Sequence, residues 1–141
     1  MTVRFTKLGA DGAPTDADGH LAVRVDHPLL ATPLIVTAHR SPKELTFKQA
    51  MKWAEELDIN GWQWRLPTVE EAFLIPDRSK CPSLDLAYFP DFEAYEWIWT
   101  STVDAASPSE FAWGVFLVDG NSDRLHQSYR YHVRAVRAGQ F

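Results

Sequence analysis

Apolar and polar positions alternate in short strand-like runs at both ends of the chain and recur at helical spacing only in the middle. Val3 to Leu8 predicts a strand, and Gly9 to Gly19, rich in Asp, Gly and Pro, a turn-rich loop. Leu21, Val23 and Val25 alternate with polar neighbours as on a half-buried strand. Leu34 to Thr37 predicts another short strand. Phe47, Ala50, Met51, Ala54 and Leu57 then fall on one helical face, opposite Lys48, Lys52, Glu55 and Glu56. Thr46 is suited to N-cap this helix, with Gln49 completing a capping box and Leu45 stapling onto Ala50. Asn60-Gly61 supplies a left-handed exit.

A second helix is expected after Thr68, with Glu71 as the reciprocal capping partner and Pro76 as the stop. Residues 77–95 lack periodicity and are expected to form an ordered loop. Beyond them the pattern is all strand: Trp97–Thr102, Phe111–Val118, a turn at Asp119-Gly120, Ser122–Gln127 and Tyr131–Arg137. The run from Ala112 to Val118 is apolar on both faces, as suits a central strand covered on both sides. Trp97 and Trp99 share one strand face and Ile98 the other, which makes them core. The order of elements predicts one α+β domain over residues 1–141, two helices packed on a twisted antiparallel sheet.

Composition narrows the class. With 45% apolar and 13% aromatic residues, the 141-residue chain is a folded globule long enough to bury its own core. Net charge is −5, from 19 acids against 14 bases, and gives no support to nucleic-acid or anionic-membrane binding. The single cysteine, Cys81, cannot form an intramolecular disulfide. No apolar run approaches the roughly 18 residues of a membrane span. The first residues lack the apolar core of a secretory signal, so a cytoplasmic protein is expected, with a place in a phage particle as the other option.

Few residues suggest chemistry. Asp119-x-Asn121-x-Asp123 resembles the start of a calcium loop, but Arg124 and Arg130 occupy the positions where an EF-hand needs Gly and Glu. Solvated hairpin tips are the expectation, and no metal or other cofactor. Five histidines show no helical pair and no cysteine partner, which argues against zinc. There is no Gly-x-Ser-x-Gly elbow or phosphate loop, so the chain is not expected to be an enzyme.

Trp62, Trp64, Arg65, Thr68, Glu71, Arg134 and Arg137 are assigned to the structure. At least one of the arginines is expected to be held by a carboxylate such as Glu70 or Glu71 beneath the indoles. The binding residues are placed on the C-terminal hairpin, at Asp119, Asn121, Asp123, Arg124, His126, Tyr129, Arg130 and Tyr131, with the loop from Asp104 to Glu110 beside them. Tyrosine and arginine on an exposed hairpin are what a binding patch uses.

Several motifs in order also carry a family resemblance. The helix from Thr46 leads into Gly61-Trp-Gln-Trp-Arg-Leu-Pro-Thr-Val-Glu-Glu71. Then follow Tyr88-Phe-Pro90, Trp97-Ile-Trp-Thr-Ser-Thr102, Trp113–Gly120 and the ending Val133-Arg-Ala-Val-Arg137. From about residue 44 to the end, the chain resembles the C-terminal domain of Legionella collagen-like adhesins, a bacterial and phage domain family. The resemblance implies a C-type-lectin-like fold, distantly related to formylglycine-generating enzymes, with its functional surface on loops and strands of the C-terminal half. Characterised adhesin members recognise extracellular polysaccharides. On this reading the chain is expected to carry neither a leader nor a collagen-like region. The expectation is therefore a non-enzymatic module that binds a protein partner, with a phage or prophage as its source, polysaccharide binding as the alternative and an enzyme of the formylglycine-generating lineage as the second. Oligomeric state is left open.

Overall fold

A computed structural model of the chain describes residues 4–119 and 121–138. Val3, the first residue of the predicted opening strand, and Gly120, of the predicted turn, lie outside them. In chain order the elements are β1 (Arg4–Leu8), β2 (Ala22–Asp26), β3 (Leu34–Thr37), α1 (Phe47–Glu56), α2 (Val69–Phe73), β4 (Trp97–Val103), β5 (Phe111–Phe116), β6 (Ser122–His126) and β7 (Val136–Ala138).

Both helices begin as their local chemistry dictates. Thr46 and Thr68 sit in extended backbone, each accepting from the amide three residues on, while the side chains of Gln49 and Glu71 accept from the two cap amides. Ala50 and Ala54 of α1 are fully buried, and Phe47, Met51, Trp53 and Leu57 pack around them. Trp53 was not among the expected face residues. Helix α1 ends at Leu57 in extended backbone, not through the Asn60-Gly61 pair. That pair is left-handed, at φ 58° and 69°, but turns the chain further on. At α2 the Val69 amide donates to Thr102 Oγ1 at 3.0 Å, tying the helix start to β4.

The expected single sheet is replaced by two among the described residues, both antiparallel, in the orders β1-β2-β3-β7 and β4-β5-β6. The predicted strand Tyr131–Arg137 is largely not a strand. Tyr131 makes an isolated bridge to Leu45 and His132 one to Ile98, and only Val136–Ala138 is a regular strand, pairing with β3. The reason is that residues 131–135 satisfy their polar groups with several segments instead of one ladder. The Val133 amide donates to Ser41 Oγ at 3.1 Å, and Arg134 Nη1 to the Ala38 carbonyl at 2.9 Å. On its other side β7 meets Arg65, which exchanges both backbone hydrogen bonds with Val136 at 2.8 and 3.0 Å.

Two apolar clusters lie on opposite faces of these strands. Leu34, Val36, Ile98, Val115 and Val136 enter one, with Ala72 of α2 and Phe89 of the long loop. Ile35, Trp99, Ala112, Val133 and Ala135 enter the other, with Ala50, Ala54 and Trp64. Strands β3 and β4 are thus buried on both faces near their centres. Strand β2 corrects the expected alternation. Ala22, Val23 and Val25 are buried, while Leu21 lies before the strand and is 52% exposed. Strand β5 is central, as expected, but Phe111, Trp113 and Phe116 remain half-buried, so one stretch of its surface is open. No helix among the described residues is long and apolar enough to cross a membrane.

Candidate binding surface

The structural arginines divide into three environments. Arg65 forms the expected pair with Glu71, Nη1 to Oε1 at 2.6 Å and Nη2 to Oε2 at 2.8 Å. Glu71 also accepts the Thr68 amide at 2.9 Å, so one carboxylate caps α2 and holds the arginine. Burial alone would raise the Glu71 pKa; the hydrogen bonds from Arg65 and Thr68 outweigh it and hold the carboxyl below its ordinary value. A second arginine lies over an indole. Arg137 takes that place, its guanidinium 4.6 Å from the Trp62 ring, and Trp62 tilts against Trp64 at 6.0 Å. Trp64 is buried and donates Nε1–H to the Ile59 carbonyl at 3.2 Å.

Arg134 is the fully buried one, and its partners were not foreseen. Its Nε and Nη2 donate to Glu96 and Nη2 also to Asp91 at 2.8 Å, with Phe89 beneath the guanidinium at 5.3 Å. Neither Glu70 nor Glu71 is involved. Asp91 comes from the stretch without periodicity and Glu96 from the residue between it and the predicted strand, where pattern carries no contact information.

Three of the predicted binding residues, Arg124, His126 and Tyr129, are brought together on the hairpin β5–β6 and its exit. Register places His126 opposite Phe111 and Arg124 opposite Trp113. The Arg124 guanidinium lies 5.2 Å from the Phe111 ring and donates Nη1–H to Asp104 Oδ2 at 2.9 Å. Asp104 is buried, so the exposed arginine is anchored from beneath. Phe111 meets the His126 ring edge-on at 5.4 Å, and His126 meets Tyr129 at 5.7 Å. His126 Nδ1 accepts the Ser128 amide at 3.2 Å and lies 2.7 Å from the Ser128 hydroxyl, which assigns the neutral ring's proton to Nε2. The result is a ledge of cation, ring, imidazole and phenol.

Loop 104–110 runs alongside, held where the Gln127 side chain donates to the Pro108 carbonyl at 2.9 Å and the Gln127 amide to the Glu110 carbonyl at 2.8 Å. Phe111 belongs to this surface and was missed, because an unbroken apolar run hides which of its faces stays open.

The remaining expected residues stand apart or point inward. Asp119 and Asn121 are exposed and satisfy each other, with the Asn121 amide and Nδ2 donating to the two Asp119 oxygens at 2.9 Å. Asp123 accepts the Arg124 amide at 2.8 Å. No group of three His, Cys, Asp or Glu side chains placed to hold a metal occurs among the described residues. Arg130 is exposed at the hairpin exit. Tyr131, expected as a surface residue, is half-buried, its ring edge-on to Trp99 at 5.3 Å and its backbone bridged both ways to Leu45. Burial first, then the nearby Tyr129, Asp123 and Glu44, raises its phenol pKa.

A family model described as the Lcl C-terminal domain matches residues 27–137, from just after β2 into β7. The chain belongs to that family. The match takes in the ledge and the Arg134 site, and begins earlier than the motifs near residue 44. Membership marks the chain as an adhesin-like domain of the Lcl C-terminal type. No curated protein matches the chain. Strands β1 and β2 precede the region matched to the Lcl C-terminal domain, although β2 lies between β1 and β3 in the first sheet.

Proposed function

We propose that the chain is a non-enzymatic recognition module on a C-type-lectin-like scaffold and that the ledge on hairpin β5–β6 docks a protein partner. The observation that carries this is the line from Arg124 through Phe111 and His126 to Tyr129, rigid at its arginine end and open to solvent at Tyr129, which is 60% exposed. Preset aromatic and arginine side chains lose little freedom on contact and are the residue types that dominate interface energetics. Arg124 is paired with Asp104 and next to Asp123, a mixed field that suits the mixed charge of a protein surface better than a polyanion. The Arg124 guanidinium and His126 Nδ1 already hydrogen-bond their neighbours, which favours binding over proton transfer.

Family membership favours a second reading, a polysaccharide on the same ledge. Cross-linking in native lysate with the full chain and with a Tyr129→Ala, Arg130→Glu double variant tests the two together with a panel of immobilised polysaccharides. A protein captured by the unaltered chain and lost by the variant supports the first reading. Polysaccharide binding lost by the same variant, with no ledge-dependent protein, moves the assignment to the second.

A further inference from the structure

A cleft of about 340 Å³, lined by none of Arg124, Phe111, His126 and Tyr129, opens between the loop before β4 and the segments 40–44 and 131–132. Its size falls within the range of small-molecule sites. Tyr95, Trp97 and Tyr131 supply rings to its walls, and Glu44, Glu93 and His132 supply polar groups. Two of the rings are fixed from behind. Trp97 stacks on Phe116 at 5.2 Å with 25° between the planes, and Tyr131 abuts Trp99. Tyr95 stands free at 87% exposure, although a large apolar ring left open to water has lost the usual reward of burial.

The polar groups are mostly spoken for, with two exceptions. Glu96, at the cleft floor, is consumed by Arg134, and Glu93 Oε1 accepts from Arg40 Nη2 at 2.6 Å. The Glu44 carboxylate makes neither a hydrogen bond nor an ion pair among the described residues. His132 donates Nδ1–H to the Ser41 carbonyl at 2.9 Å, which leaves Nε2 as an acceptor with no partner. Arg40 is the only cation among the cleft's lining residues, against Glu44, Glu93 and Glu96. The cleft therefore offers preset ring faces, unused acceptors and one uncompensated negative charge.

From these features we propose that the cleft binds an amine-bearing saccharide, such as an oligomer of unacetylated glucosamine units. The apolar face of a pyranose ring covers Trp97 and Tyr131, a hydroxyl donates to His132 Nε2, and the ammonium lies by Glu44 and the Tyr95 ring. Sulfated chains meet the wrong charge here. A lysine side chain would satisfy Glu44 but has no flat face for the two fixed rings, so a saccharide fits better than a basic peptide.

The test is titration of the full chain, followed by the indole N–H resonance of Trp97, with glucosamine oligomers, their N-acetylated counterparts, a heparin-type oligosaccharide and a lysine oligomer. The unacetylated oligomer is expected to shift that resonance and to bind about ten-fold tighter than the N-acetylated one, the scale of one added charge contact near a protein surface. Glu44→Gln should abolish that preference, and Tyr95→Ala should weaken binding without altering the melting temperature. The Tyr129→Ala, Arg130→Glu variant should bind unchanged, which separates this site from the ledge. An unmoved Trp97 resonance, tighter binding of the heparin-type or lysine oligomer there, or a preference that survives Glu44→Gln overturns the assignment.

Discussion

Arg134 and Glu96 stand 38 positions apart in sequence and meet through two hydrogen bonds, Nε to Oε2 at 2.7 Å and Nη2 to Oε1 at 3.0 Å. Neither side chain has surface open to water. Removing one partner leaves a desolvated charge, so Glu96→Gln or Arg134→Met is expected to cost about 3–5 kcal/mol in urea denaturation. Joint replacement by apolar residues should recover much of that loss, since the pair's desolvation is then avoided. A single variant within 1 kcal/mol of the unaltered protein would contradict the buried pairing.

Gly114 on β5 faces Leu125 of β6 and the Ile98 carbonyl of β4. A methyl group built there collides with Leu125 Cδ1 and sits 3.3 Å from that carbonyl oxygen. Gly114→Ala should therefore destabilise the protein by about 1–3 kcal/mol through overpacking. Leu125→Val in the same chain should make the second substitution less harmful than the sum of the two singles, a coupling that a double-mutant cycle measures.

Acid should loosen the start of α2. The Glu71 carboxyl is held below its ordinary value, so its contribution is present above the unfolded carboxyl pKa of about 4.3 and is lost as pH falls through the lower folded value. Melting temperature should therefore drop more steeply below about pH 4.3 for the unaltered chain than for Glu71→Gln, which keeps a capping side chain without the titrating charge. Parallel slopes in thermal scans would show that Glu71 is not the group responsible.

Substitutions on the ledge should separate binding from folding. Tyr129 and Arg130 lie in exposed positions at the hairpin exit. Tyr129→Ala and Arg130→Glu are expected to change stability by less than about 0.5 kcal/mol. Arg124→Ala should cost somewhat more, about 1 kcal/mol, because buried Asp104 loses its ion-pair partner. Calorimetry on all three, alongside capture of a ligand, checks this ordering.

What the sequence reveals follows the range of the interactions. Helices α1 and α2 were legible because each capping box joins residues three positions apart. The meander β4-β5-β6 was legible because alternation and a turn place neighbours beside one another. Strand β7 was not, because nothing in Tyr131–Arg137 indicates that Val136 pairs with Val36 while Tyr131 pairs with Leu45. Most of the ledge could be read from one hairpin, whereas Phe111 was hidden in an apolar run and Tyr131 turned inward to Trp99. The cleft was invisible, since Glu44, Tyr95 and His132 reach it from three separate segments.

The placement of β7 between β3 and Arg65 sets an order on biosynthesis. Arg134 reaches the Ala38 carbonyl across 96 positions, and Val136 lies beyond it, so the first sheet stays one strand short until nearly the whole described chain has been translated. A nascent polypeptide stalled inside the meander would keep the backbone of Leu34–Val36 unpaired along one edge, a state that invites strand exchange or a chaperone. Commitment to the native topology is thus a late event, completed by distant contacts of the kind that make folding slow.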